Sequence, residues 1–323
     1  MGDGKGYLYA NAATTTLQFT GMVAKQVSDL AFVNGGNYNS TLNYDESTEF
    51  GTWNLVGNSL PHNGYAYIGT VDGYVSFVPT YYYKMNEAGD ELTISNYIVK
   101  PCEGIFVKAS AANQYAFVSS ENYGDYSQQL RLNVTQGSKQ VDLAIIDFSE
   151  TQGLEKFQLN PSHTKLYIPM DGKDYAVAKA NEVGEMPVSF KAEKNSTYTL
   201  GFNTENVKFG YLHLIDYMTG NDINLLETPS YTFVAKTTDY AQRFKLVFAT
   251  GANNSVNETF AFISDGNIIV NGEGKLQVVD VMGRVISQEE NATSVATNGM
   301  TPGVYVLRLI NGDNVRTQKI VVK

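Results

Sequence analysis

The 323-residue chain has one cysteine, Cys102, one tryptophan, Trp53, three histidines and eight prolines. A single cysteine excludes an intrachain disulfide and any cysteine-based zinc site. That fits a reduced compartment, and equally a bacterial secreted protein large enough to fold without staples. His62, His163 and His213 form no HxxxH or HxH grouping, so a metal site or general base would have to be assembled from distant parts of the chain. No GxSxG elbow is present. Charged residues make up only 17% and no Lys/Arg cluster occurs, which excludes nucleic acid and anionic membrane surfaces as expected partners. No apolar run approaches the roughly 18 residues of a membrane span, so direct membrane insertion is not expected. The opening "MGDGKGYLYA" has no signal-peptide core, and a leader is expected to lie outside this sequence.

What is abundant is β-forming. The chain holds 22 Tyr, 16 Phe and 29 Gly, a mix that favours an all-β fold over a helical one. The length allows about two or three domains. Residues 1–127 alternate aromatic or aliphatic with polar residues in short runs, such as "GTWNLVG", "YAYIG" and "GIFVKAS", punctuated by Gly, Asn and Pro. This predicts a Tyr-rich all-β domain, with a hairpin turn at "NEAGDELT". Residues 128–252 predict a two-sheet sandwich, with runs flanking Gly137-Ser138 and strands from "KLYIPM" to "RFKLVFAT". "SETQGLEKFQ" reads as one short helical turn at most. Residues 256–323 hold about seven strands, with the turn signals "SDGN" and "NGDN", which predicts an immunoglobulin-like sandwich. The net charge of -10 falls mostly on the first segment.

The last segment resembles the C-terminal sorting domain of the type IX (Por) secretion system of Bacteroidetes. The residues that carry the likeness are "NIIVNGEGKLQVVDVMGRVI", with its Asp280–Arg284 turn, then "TPGVYVLRL" and the closing "KIVVK". The resemblance implies an Ig-like sandwich recognised during outer-membrane export and often cleaved as the cargo is anchored. Matched residue by residue, it implies recognition through Gly283, Arg284, Gly303, Tyr305, Lys319 and Lys323. The middle segment is similar to a region that precedes such domains, on "LEKFQLN" and "YLHLIDYMTGNDINLL". The first is similar to an all-β module from the same setting, with Ser59 where Pro is usual.

Sites for chemistry are sparse. Asp45, Glu46 and Glu49 in "NYDESTEFG" read as solvated loop charge rather than a glycosidase pair. The same loop and Asp171/Asp174 are weak candidates for Ca²⁺, and no metal or cofactor is expected. Cys102 reads as a small buried filler rather than a nucleophile. "VNGEGK" lacks the helix that a phosphate loop needs. Trp53, Tyr65, Tyr67, Tyr81, Tyr82 and Tyr83 form the candidate ligand surface, since flat rings stack on sugars or anchor a partner. Core filling is the competing reading of the same alternation. The expectation is a non-enzymatic secreted or cell-surface protein, an adhesion or structural module, handled by secretion and anchoring machinery. It would contact a glycan or a protein of a host or bacterial surface. The alternative is a carbohydrate-binding accessory module of a larger surface hydrolase.

Overall fold

The computed structural model describes residues 40–323 except 59–62, 71–77, 87–88, 90, 97, 120–126, 150–152, 251–259, 313 and 323. Strands are the only regular elements among these residues, as the composition predicts, and no helix is long and apolar enough to cross a membrane. The chain divides into two compact units. One comprises Met1–Tyr126, Glu150–Leu159 and Tyr175–Val177, the other Ser127–Ser149, Asn160–Asp174 and Ala178–Lys323.

In the first unit, one antiparallel sheet runs in the order Ser40–Thr41, Gln114–Ser119, Tyr65–Thr70, Val78–Pro79. A second runs Trp53–Gly57, Gly104–Lys108, Tyr82–Met85, Leu92–Ser95. Ala66, Ile68 and Ala116 from the first sheet meet Val56, Tyr82, Ile105 and Val107 from the second in one core. The predicted hairpin forms, with Met85 opposite Leu92 and Asn86 N donating to Glu91 O at 2.8 Å. The stretch expected as a helical turn instead adds the two-residue strand Leu154–Glu155, paired with Val177 and Tyr175. Phe157, three residues after Leu154, enters a ring cluster: it stacks on Trp53 at 4.6 Å and lies 5.2 Å from Phe106 and 5.9 Å from Tyr83. The Tyr83 hydroxyl accepts from Phe157 N at 3.2 Å, fixing the plug.

The second unit begins with the Gln129–Gln136 and Lys139–Asp147 hairpin, closed at Gly137, whose φ of 61° is the left-handed value a tight turn needs. Ser196–Glu205 and Ser230–Ala235 extend that ladder. A second ladder runs Asn221–Asn224, Phe209–Asp216, Phe244–Thr250, Val183–Lys191, Lys165–Met170. The two meet through aromatic edges: Phe190 lies 5.0 Å from Tyr198 and 5.1 Å from Phe233, and Phe233 lies 5.0 Å from Phe244. Such edge-to-face pairs add about 0.5–1.5 kcal/mol each beyond area burial.

The strand Phe244–Thr250 is buried at every position. Strand side chains alternate between faces. Phe244 and Phe248 make ring contacts in the sandwich. The alternate residues Lys245, Val247 and Ala249 face the C-terminal strands: Val247 and Ala249 pack with Tyr211 and with Ile269, and Phe262 packs against the same group. A strand covered on both sides is the mark of an inner layer.

Candidate functional site

That outer cover is the final module. Its first sheet runs Ala261–Ser264, Asn267–Val270, Ser294–Ala296, and its second runs Val285–Glu290, Lys275–Asp280, Gly303–Asn311, Asn314–Val322. Ile268, Val270 and Val295 from one sheet enclose a core with Leu276, Val278, Leu307, Leu309, Ile320 and Val322 from the other. Alternation supplies the inward set, with Leu276 and Val278 of Lys275–Asp280 and Tyr305, Leu307 and Leu309 of Gly303–Asn311 entering the core at every second position. Asp265 and Gly266, with φ of 47° and 74°, form the turn that "SDGN" predicts. Gln318 stitches the sheets together: its Oε1 accepts from Phe260 N at 2.7 Å and Ala261 N at 2.8 Å.

The docking on the middle sandwich is polar as well as apolar. Lys245 Nζ lies 2.5 Å from Asp265 Oδ2 and 3.2 Å from Glu185 Oε2, and the Ser264 hydroxyl donates to Glu185 Oε2 at 2.7 Å. Burial favours the neutral amine, but the two carboxylates outweigh it and hold Lys245 above the usual lysine range, so the bridge is charged at neutral pH. Tyr211, at the apolar part of this contact, is pushed up to about 12, first by burial and then by the charges of Asp222 and Asp265.

The Asp280–Arg284 turn is built by its first residue. Asp280 Oδ1 accepts from the backbone N–H of Met282 and of Arg284, both at 2.9 Å, and Oδ2 accepts from Arg284 Nε at 2.7 Å. The hydrogen bonds from Arg284 lead in holding the Asp280 carboxyl below the usual carboxylate range against a smaller effect of burial. Gly283 takes φ 82° with open space where a Cβ would stand, so its demand is conformational rather than steric.

Register gathers the expected recognition residues at one end of the four-stranded sheet. Asp280 is opposite Tyr305, Gly303 is opposite Val322, and Val279 is opposite Val306, itself opposite Lys319. Arg284 and Lys319 are exposed, whereas Tyr305 is buried in the core, its hydroxyl donating to Thr301 O at 2.8 Å. Tyr305 therefore braces Thr301, at the entry to its own strand, against the core. Lys323 lies outside the described residues. Sequence reasoning missed the apolar surroundings: Val281 and Met282 are 76% and 77% exposed at the turn tip, and Val285, Val304 and Val321 are exposed beside them. The outward positions of "GVYVLRL" and "NVRTQKIVV" carry that signal, since they hold Val where a solvated strand has polar residues.

Elsewhere the structure buries most of the expected ligand-surface rings and brings Trp53 and Tyr83 together at 5.8 Å. Tyr67, Tyr81, Tyr82 and Tyr83 are 0–2% exposed and Tyr65 is also buried, so these rings fill the interior of the first unit instead of facing solvent. Trp53 is half-buried, stacked on Phe157 and approached by Lys108 Nζ at 5.9 Å. Cys102 is not a buried filler: it is exposed, at φ 61°, in the turn after Pro101, where its N–H donates to Asn58 O at 2.8 Å. Asp45 Oδ1 accepts from Ser47 N at 2.9 Å and Oγ at 2.6 Å, a solvated loop arrangement in which those bonds lower its pKa. Asp171 forms the hairpin turn with Gly172, and Asp174 pairs with Lys165 at 2.6 Å. His213 Nδ1 lies 2.7 Å from Asp222 Oδ1, and His62 lies outside the described residues. No group of three or more His, Cys, Asp or Glu that could hold a metal occurs among the described residues.

Seven antiparallel strands, split three and four over one core and placed last in the chain, define a small β-sandwich module with an exposed, carboxylate-braced turn. Residues 254–323 match the family model of the secretion system C-terminal sorting domain. The chain thus carries a type IX secretion C-terminal sorting domain, which implies a secreted or cell-surface protein that engages secretion and anchoring machinery. No curated protein and no solved structure matches the chain in the same comparisons.

Proposed function

We propose that the chain is the non-enzymatic, surface-displayed part of an exported bacterial protein, an adhesion or structural module whose last sandwich is its export and anchoring address. The observation that supports this best is the layering of the second unit. The sorting domain is seated on the outer face of Phe244–Thr250 by an apolar contact and a two-carboxylate lysine bridge. A module seated in this way presents the preceding sandwich in a fixed orientation wherever the address is held. The strand order of the sorting domain, with strands one, two and five together and four, three, six and seven together, supports the immunoglobulin-like reading. Burial of the tyrosines favours the scaffold over a ring-lined sugar platform in the first unit.

The test is made in a bacterium with a type IX system. Deleting residues 40–252 from the full-length product while keeping 253–323 is expected to preserve surface display and abolish attachment to mucin-coated or bacterial surfaces. Attachment at the undeleted level would reject the adhesion reading.

A further inference from the structure

Where the two sandwiches of the second unit meet, a cleft of about 790 Å³ opens. That volume falls within the range of about 300–1,000 Å³ typical of ligand pockets, which favour module junctions. Phe209 and Gly210 supply one wall from the middle sandwich, and the sorting domain supplies the rest. The wall is fixed by a close approach: a Cβ on Gly210 would stand 2.7 Å from Asn271 Oδ1, and the Asn271 amide donates to Thr250 O. Opposite, Asn271-Gly272-Glu273-Gly274 presses its backbone onto the neighbouring strand. Gly272 and Gly274 have φ of 144° and 132°, and a Cβ on Gly272 would stand 2.6 Å from Leu309 Cδ2. "VNGEGK" is thus no phosphate loop; its glycines let the chain hug Leu309 while exposed Glu273 stands at the cleft mouth.

The chemistry of the lining selects the ligand. Phe209 is the half-buried apolar side chain of the lining, its ring held edge-on to Phe148 at 5.5 Å, with the buried core residues Val270 and Leu309 behind the cleft floor. Charges cancel, one guanidinium from Arg316 against one carboxylate from Glu273, so neither an anion nor a cation is favoured. What remains is amides and a hydroxyl. Asn291 uses its Oδ1 to accept from Gly274 N at 2.9 Å, which leaves its NH₂ to donate, and Asn311, Asn314 and Thr293 are exposed along the lining. Each amide offers donor and acceptor side by side. Vicinal hydroxyls on a ring with an apolar C–H face match that pattern. We propose that this junction cleft binds a neutral oligosaccharide, which goes beyond the export and scaffold reading and does not depend on it.

The test uses the purified full chain and isothermal titration with maltohexaose, cellohexaose, xylohexaose and β-1,4-mannohexaose as probes. At least one is expected to bind with a Kd between about 10 μM and 1 mM. Thr293→Trp, which fills the mouth, and Asn314→Ala should each weaken it about tenfold or more (about 1.4 kcal/mol), with an unchanged melting temperature because both positions are exposed. Asn311→Ala, also an exposed amide of the lining, is the substitute if either variant melts early, and it should weaken binding too. Trp53→Ala should bind as the parent does. No binding of any probe at millimolar concentration would overturn the proposal. So would binding that the cleft variants leave unchanged, or stronger binding of hexagalacturonate than of the neutral probes.

Discussion

The second unit contains two aspartate–arginine pairs that look alike in sequence and do opposite work. "DYMTG" and "DVMGR" each end a strand with Asp, and in each the Asp Oδ1 accepts from the N–H two residues on: Met218 at 3.0 Å and Met282 at 2.9 Å. Asp216 and Arg243 are 0% and 3% exposed at the side chain, whereas Asp280 and Arg284 are 12% and 70% exposed. Arg243 comes from 27 residues away, gives Nε at 3.0 Å and Nη2 at 2.8 Å to Asp216, and lies 4.6 Å over the Phe233 ring. Tyr231 adds a third donor at 2.9 Å. The interior pair joins the two ladders of the middle sandwich, while the exterior pair shapes a surface turn and displays a guanidinium. Solvation decides the difference, since breaking a buried pair strands a desolvated charge and breaking a solvated one does not.

The comparison breaks most visibly in the interior. Arg243→Ala should cost about 3–5 kcal/mol by leaving Asp216 uncompensated, read as a fall in the urea midpoint of the second unit. A similar loss, about 3–5 kcal/mol, is expected in the first unit from Phe157→Ala, because the ring fills a cluster with Trp53, Tyr83 and Phe106. Acid sharpens the contrast. Burial pushes the Asp216 carboxyl up, but hydrogen bonds from Arg243, Met218 N and Tyr231 and the Arg243 charge outweigh it and hold it below the usual carboxylate range. A depressed aspartate stabilises the fold above its unfolded pKa of about 3.9, and that contribution fades as pH falls through the lower folded value. Urea midpoints measured from pH 5 down to pH 2 should therefore fall in the parent, and less steeply in Asp216→Asn.

Smaller effects are expected at the two tyrosines that brace corners. Tyr198 donates to Lys194 O at 2.9 Å and Tyr305 to Thr301 O at 2.8 Å, each four residues back. Replacing either with Phe keeps the ring and should cost about 0.5–1.5 kcal/mol. Smallest of all is Arg284→Ala, for which calorimetry should show the parental melting transition while the surface-exported fraction drops. A clear loss of stability in that variant would erase the distinction between the two pairs.

Much of this architecture was legible because it is local. Period-two alternation marked the strands, and "SDGN", "NGDN" and Gly137-Ser138 marked the hairpins, since a tight turn is set by the residues in it. The exposed turn was legible for the same reason: Asp280, Gly283 and Arg284 satisfy one another within five positions. Partners that arrive from afar were not legible. Nothing in "LEKFQLN" announces that Phe157 stacks on Trp53, and nothing in "AQRFKL" assigns Arg243 to Asp216. Tyrosine was ambiguous in principle, because a half-polar ring suits a core rim and a binding face equally; packing put Tyr81, Tyr82 and Tyr83 inside. Cys102 was misread because its neighbours set the backbone, and the turn after Pro101 turned its side chain to solvent.

The most direct measurement is cell fractionation of a type IX-competent bacterium making the chain with and without residues 254–323. With the last sandwich present, the product should reach the surface or medium; without it, the product should remain in the periplasm. Equal surface delivery of both forms would contradict the claim that these seventy residues are the export address.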